Sequence, residues 1–211
     1  MVGGASLDTL DGADGKVAGG AGMYTAMASW RSGAAVALYA PRPVPIPSPL
    51  QKVADSVTWL GPAIGDDELA RFEISYQGRK TTYVNADFGA EHSLSPEGLP
   101  ADLSEYDCVH LVPLGDIRRQ HEFLLACRDR GARRISAGTA LDLINKEPDF
   151  AAAVLESADY FFMNEEEARR LFGSLAAVRS QPGQCIFVTR GAAGATVVLG
   201  DIATQLRGAK A

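Results

Sequence analysis

Short apolar runs rich in β-branched residues alternate along the chain with longer stretches of helical period. Met23 to Ser32 has the spacing of a helix that Gly33 closes, and Val36 to Tyr39 then reads as a buried strand. Beyond residue 100 the pattern predicts strand Cys108 to Val112, helix Ile117 to Arg130, strand Arg134 to Ala137 and helix Phe150 to Ser157. Strand Tyr160 to Met163, helix Glu165 to Phe172 and strands Cys185 to Thr189 and Ala195 to Leu199 follow. Strands separated by helices need crossover connections. The expected fold class is therefore α/β, a Rossmann-like, mainly parallel sheet flanked by helices.

Two stretches break the rhythm. Pro41, Pro43, Pro45, Pro47 and Pro49 alternate with other residues, which forbids a helix and predicts an extended connector. Val57 to Asp87 then reads as antiparallel. Arg71 to Tyr76 alternates apolar and polar, Gln77-Gly78-Arg79 supplies a turn, and Thr81 to Val84 runs back. A hairpin inserted early in a parallel chain suggests a flap over the carboxyl edge of the sheet, where ligands of such folds bind.

Composition narrows the setting. The 211 residues are 46% hydrophobic and 22% charged, enough for one sizeable core and too few for two comfortable domains. The net charge of −6 is spread along the chain, so neither nucleic acid nor an anionic membrane is an expected partner. A phosphate can still be held locally by backbone N–H groups. Cys108, Cys127 and Cys185 lie far apart and read as buried thiols of a reducing compartment. The N-terminus lacks the marks of a signal peptide and no run reaches the length of a membrane span, so a cytoplasmic protein is expected.

Four places carry candidate chemistry. Thr189-Arg-Gly191-Ala-Ala-Gly194 follows an apolar strand and reads either as a backbone cradle for an anion or as a plain β-turn. Asn164-Glu-Glu-Glu167 also follows a strand. Asn164 and Glu167 have the spacing of a capping box, and carboxylates at a strand's carboxyl end also suit water-mediated Mg²⁺ beside phosphates. Gly19-Gly20-Ala-Gly22 opens the first helix without completing a dinucleotide fingerprint, because Thr25 stands where the last glycine belongs. Asp8 ends a strand-like Met1 to Leu7, placed either to accept hydrogen bonds from substrate hydroxyls or to serve a turn. His110, inside an apolar strand, reads as a core histidine, while His92 and His121 have no supporting pattern.

Taken in order, these features resemble the ribokinase-like (PfkB) carbohydrate kinase family over nearly the whole chain. Gly19 to Ala34 is similar to that family's first signature, Ala158-Asp159 to Ala168 to its N-x-x-E region, and Val188 to Ala195 to its T-x-G-x-x-G turn. The resemblance implies one ribokinase-like domain over 1–211 with a small β lid, drawn from segments near 9–18 and 57–87, that often mediates homodimerisation. It implies transfer of the γ-phosphoryl of ATP, with Mg²⁺ and optionally a monovalent cation, to a hydroxyl of a small sugar, polyol or nucleoside. Asp8, Gly19, Gly20 and Tyr24 would line the acceptor pocket. Asn164 and Glu167 would organise Mg²⁺ and phosphate, with Glu167 toward the metal, and Thr189, Gly191 and Gly194 would meet the nucleotide.

Three departures from the family pattern bear on the reading. Tyr24 stands where many sugar-specific members have asparagine, a departure that favours an inositol- or nucleoside-like acceptor, while Arg71, Tyr76, Arg79 and Tyr83 of the hairpin suit a nucleoside, a polyol or a sugar. Gly138-Thr139 follows its strand without the acidic residue many members place there. The glycine-rich second signature with the catalytic aspartate is expected beyond Ala211, so no residue here is assigned as the base and the 211-residue chain itself is expected to be inactive. A non-catalytic kinase-like binding protein is the alternative, and a dinucleotide-dependent oxidoreductase a third reading.

Overall fold

In the computed structural model, which describes residues 1–12, 14–77 and 80–208, the chain changes sheets near its start. Met1 and Gly3 bond to β3 (Ala37–Tyr39), with Tyr39 N–H donating to Met1 O at 2.8 Å and Gly3 N–H to Tyr39 O at 3.1 Å. After Gly4 the backbone joins a different sheet as β1 (Ser6–Leu10). Strand β1 pairs antiparallel with β2 (Lys16–Gly19) and parallel with β7 (Arg71–Gln77), and β7 pairs antiparallel with β8 (Lys80–Asp87). The order of this four-stranded sheet is β2-β1-β7-β8.

Contacts group Met1–Leu99 as one compact unit. Its core packs α1 (Ala21–Arg31) through Met23, Ala26 and Met27 against Leu7, Leu38, Leu50 and Leu69. Small residues along that helix let it approach the strands closely. The short helix α2 (Gln51–Ser56), which the sequence pattern did not reveal, follows the proline run and reverses the chain. Strand β3 therefore pairs parallel with β5 (Thr58–Leu60), and β4 (Arg42–Pro43) parallel with β6 (Ala63–Ile64). This corrects the antiparallel expectation for 57–64. Two-residue alternation is the same in either direction, and the crossover through α2 decides it. Only β7–β8 keeps the expected hairpin, and its turn at Gly78-Arg79 lies outside the described residues.

Residues from Pro100 onward form the second unit. Strands β9 (Val109–Leu111), β10 (Ile135–Gly138), β11 (Tyr160–Asn164) and β12 (Cys185–Thr189) run parallel, followed by antiparallel β13 (Ala195–Leu199) and β14 (Ile202–Leu206). Register aligns Leu111, Ala137, Phe161, Ile186 and Val198 in one row, and all five are buried. Helix α3 (Ile117–Asp129) lies against β9 and β10, and α6 (Glu165–Phe172) against β11 and β12, with α4 (Leu141–Lys146) and α5 (Pro148–Ser157) beside them. Asp116 caps α3 through N–H groups of Arg118 and Arg119, and Pro148 opens α5 where no N–H is needed. Leu199, Ile202 and Leu206 stay exposed. The fold class is the expected α/β arrangement, a mainly parallel sheet flanked by helices.

Cys127 and Cys185 are buried thiols, but Cys108 is exposed, because it sits in the turn before β9 instead of within the strand. Among the described residues no helix is long and apolar enough to cross a membrane.

Candidate functional site

In the first unit the polar residues converge on Asp8. The chain leaves β3 at Gly3-Gly4, so Asp8 falls in the middle of β1 opposite Val17, and not at a strand's end as its sequence context suggested. It is 5% exposed, its Oδ1 makes no hydrogen bond, and neither does the Oγ of fully buried Ser6. Ser6 was missed in the sequence, although a residue two positions before Asp8 necessarily shares its face of the strand. A Cβ placed on Gly19 would lie 1.9 Å from Asp8 Oδ2 and 2.7 Å from Ser6 Oγ, so glycine is what leaves room for the carboxylate. Gly20 admits no side chain either, since its Cβ would meet Gly4 O at 2.6 Å.

Burial raises the Asp8 carboxyl above its ordinary range, an effect that Ser6 and the Phe72 backbone partly offset. Tyr24 is 60% exposed at the start of α1, and its Oη donates to Ala18 O at 3.1 Å. Its phenol is held up by desolvation, then by the charges of Asp8 and Tyr76. Asp8, Gly19, Gly20 and Tyr24 therefore form one neighbourhood. Of the hairpin residues, Tyr76 and Tyr83 are exposed, whereas Arg71 is committed to Asp66 through Nη2, 2.7 Å to its carbonyl and 3.1 Å to its carboxylate. Arg79 lies outside the described residues.

In the second unit, parallel pairing of β11 with β12 sets Asn164 directly beside Thr189. The N-terminal turn of α6 and the loop after β12 consequently leave the carboxyl edge of the sheet together, and Thr189 Oγ1 donates to Met163 O at 3.3 Å. The capping box at α6 is complete. Asn164 Oδ1 accepts from Glu166 and Glu167 N–H at 2.8 and 2.9 Å, and Glu167 Oε2 accepts from Asn164 N–H at 2.8 Å. Burial raises the Glu167 carboxyl, the Asn164 N–H partly offsets the rise, and Glu166 and Asp142 add to it. Its Oε1 stays outside the cap. Across the edge, Gly191–Ala193 forms a 3₁₀ turn that Gly194 ends at φ 97° and ψ −131°.

Three further residues at this edge were given no role in the sequence reading. Arg190, inside the quoted turn, donates to Glu165 Oε1 at 3.1 Å and to Gln205 Oε1 at 2.7 Å. Gln120, fully buried on α3, donates to Gly138 O at 2.7 Å and leaves its Oε1 without a partner. The buried Thr139 hydroxyl, next to Gly138, is also unpartnered. No motif marks the Gln120–Gly138 contact, because it depends on the β9–α3–β10 crossover. His110, expected in the core, is half-buried, with Nδ1 2.6 Å from Ser136 Oγ, and burial holds its pKa down to about 4.

Mg²⁺ commonly takes one or two protein carboxylates and completes its shell with water and substrate phosphates. A half-committed Glu167 beside backbone donors fits that pattern. Among the described residues no group of three His, Cys, Asp or Glu side chains forms a self-sufficient metal cage.

No protein-family model matches the chain, and no curated protein matches its sequence. Solved structures do match its fold. A probable sugar kinase from Rhizobium etli superposes with TM-score 0.79 at 17% identity, covering 99% of this chain and 78% of the other. An adenosine kinase from Sinorhizobium meliloti gives TM-score 0.79 at 14% identity, covering 100% and 79%. An aminoimidazole riboside kinase from Salmonella enterica, complexed with its riboside and an ATP analogue, gives 0.73 at 16% identity, covering 100% and 76%. What the chain shares with these sugar and nucleoside kinases is the ribokinase-like fold.

Proposed function

We propose that the protein is a small-molecule kinase of the PfkB type, moving the γ-phosphoryl of ATP to a hydroxyl of a small sugar, polyol or nucleoside. The register Asn164 beside Thr189 carries the reading. It delivers a capped helix N-terminus and a glycine turn to one carboxyl edge of a parallel sheet, the edge at which such sheets bind ligands. Thr189, Gly191 and Gly194 offer hydroxyl and backbone donors to the phosphates. Glu167, supported by Asn164, would hold Mg²⁺ through water, and the ion when bound would screen phosphate charge. Asp8 and its buried Oδ1 would accept a hydrogen bond from the acceptor, with Ser6 beside it and Tyr24 at the rim.

Such catalysis is mostly positioning and charge neutralisation. The neighbours' nucleoside and riboside substrates, together with exposed Tyr24 in place of a small polar residue, support a ring-bearing acceptor.

Calorimetric titration of ATP with and without Mg²⁺, followed by phosphoryl transfer from ATP to a panel of sugars, inositols and nucleosides, tests the reading. Expected are Mg²⁺-enhanced nucleotide binding by this chain and turnover of one acceptor class by a chain that also carries the second signature with its catalytic aspartate. Glu167→Gln keeps an oxygen for the Asn164 cap, so its Tm should stay within about 2 °C. Its Mg²⁺-dependent gain in affinity should fall about tenfold. Absence of nucleotide binding in the wild-type protein would overturn the proposal, and binding without turnover by the chain that carries that signature would favour a non-catalytic ligand-binding role.

A further inference from the structure

We propose that Arg190 is a positioning residue that locks the Thr189–Gly194 turn onto the N-terminal turn of α6, making the two loops one rigid cradle. The inference deepens the nucleotide reading above and rests on it. Pairing of β11 with β12 stops at Asn164 and Thr189, so beyond that point the ladder no longer fixes one loop against the other. Among the described residues, the Arg190–Glu165 pair supplies the hydrogen bond and ion pair joining residues 190–194 to α6, at 3.1 Å. The same guanidinium reaches β14 through Gln205 Oε1 at 2.7 Å, and Arg190 N–H closes its own turn on Gly194 O at 2.8 Å. One side chain thus spans helix, turn and edge strand. Glu165 is presented for this role by Arg169, one helical turn on, whose Nη2 lies 4.0 Å from the same oxygen.

Both partners are about one-third exposed, 35% and 33%. A pair so open to water adds little to folding stability. Placement matters more for a ligand held by several short bonds, since each hydrogen bond pulled out of range forfeits roughly two- to tenfold in affinity. The brace should therefore act on nucleotide affinity and leave Tm nearly untouched, which separates positioning from general structural support.

The sign of one substitution separates it from direct phosphate binding. If Arg190 met the phosphates itself, removing Glu165 would free the guanidinium, remove a negative charge and tighten binding. As a brace, Glu165→Ala must weaken binding despite that favourable change in charge.

The test is calorimetric titration of ADP in metal-free buffer, which leaves Glu167 and Mg²⁺ aside. Arg190→Ala and Glu165→Ala should each weaken ADP binding about five- to tenfold, with Tm shifts within about 2 °C. The double variant should bind no more weakly than Arg190→Ala alone, because that variant already removes the link to Glu165. Arg190→Lys, which keeps the charge and loses the fork to Gln205, should fall between. Tighter binding in Glu165→Ala, additive losses, or unchanged affinity in Arg190→Ala would each overturn the brace. Hydrogen exchange reads the link without any ligand. The Ala193 and Gly194 amides, bonded within the turn, should exchange faster in both single variants, and unchanged protection there overturns the brace. A wild-type protein that binds no ADP while its turn still loosens in Arg190→Ala would refute the nucleotide reading and keep the link.

Discussion

Asp8 answers to two demands that pull in opposite directions. As an acceptor of substrate hydroxyls it needs an uncommitted oxygen in a dry setting, and the fold gives it one in Oδ1. As a buried carboxyl it is an expense to the folded state, because its charged form is poorly solvated there. The sign follows from its raised pKa. The folded chain binds more protons than the unfolded one over the interval between the ordinary carboxylate value and the raised one. Stability contributed by neutral Asp8 is thus complete below the ordinary value and declines as pH rises through the raised value. Asparagine has no charge to lose. Asp8→Asn should therefore be more stable than wild type at pH 7, with a higher Tm. That margin should close as pH approaches the ordinary value of 3.8. Acceptor affinity should fall at least about tenfold in the same variant. Thermal melts across pH check it, and a variant less stable than wild type at pH 7 would show that Asp8 holds the fold together.

At the scale of elements, the turn after β12 separates a conformational requirement from a packing one. Gly191 has φ 55° and open space where a Cβ would go. Gly191→Ala should cost only the left-handed penalty, about 1–2 kcal/mol. Gly194 combines φ 97° and ψ −131°, a region almost confined to glycine, with a Cβ position 2.0 Å from Leu206 O. Gly194→Ala should thus exceed the Gly191→Ala loss by at least about 1 kcal/mol and loosen β14 from β13, measured by denaturant unfolding and by exchange of the Ala195–Leu206 ladder. Equal losses would mean that β14 shifts freely. This region was well legible in the sequence. Glu165–Phe172, Cys185–Thr189 and Ala195–Leu199 have the same bounds in pattern and structure, because apolar strands there are bounded by a cap and by glycines. The first unit was read less well. Strand β2 carries only Val17 and Ala18 as apolar residues between Lys16 and Gly19, and pairing with β1 makes it a strand. Parallel pairing of 58–64 depended on α2, whose Gln51-Lys-Val-Ala-Asp-Ser56 shows too little periodicity to announce a helix.

For the whole molecule, the candidate residues divide between the two compact units. Asp8, Gly19, Gly20 and Tyr24 belong to Met1–Leu99, while Asn164, Glu167, Thr189, Gly191 and Gly194 belong to the unit that begins at Pro100. The motifs gave the membership of each set. They could not give the orphaned Ser6, Gln120 and Thr139 atoms, since satisfaction of a hydrogen bond is a property of the folded surroundings. The division makes a prediction about ligand footprints. A ligand that binds only the folded state slows local opening where it makes contact, by RT ln(1 + [L]/Kd), about 2.7 kcal/mol at a hundredfold excess over Kd. That corresponds to roughly a hundredfold slower exchange of amides that open locally beneath it. ADP alone should therefore protect peptides spanning 160–169 and 188–196 and leave those spanning 4–10 and 17–27 at their unliganded rates. An acceptor identified by turnover, added alone, should do the reverse. Hydrogen exchange read by mass spectrometry resolves both footprints in one protein without any phosphoryl transfer. Strong protection of 4–10 or 17–27 by ADP alone would place the nucleotide on the Asp8 neighbourhood, and the assignment of donor and acceptor residues would have to be reversed.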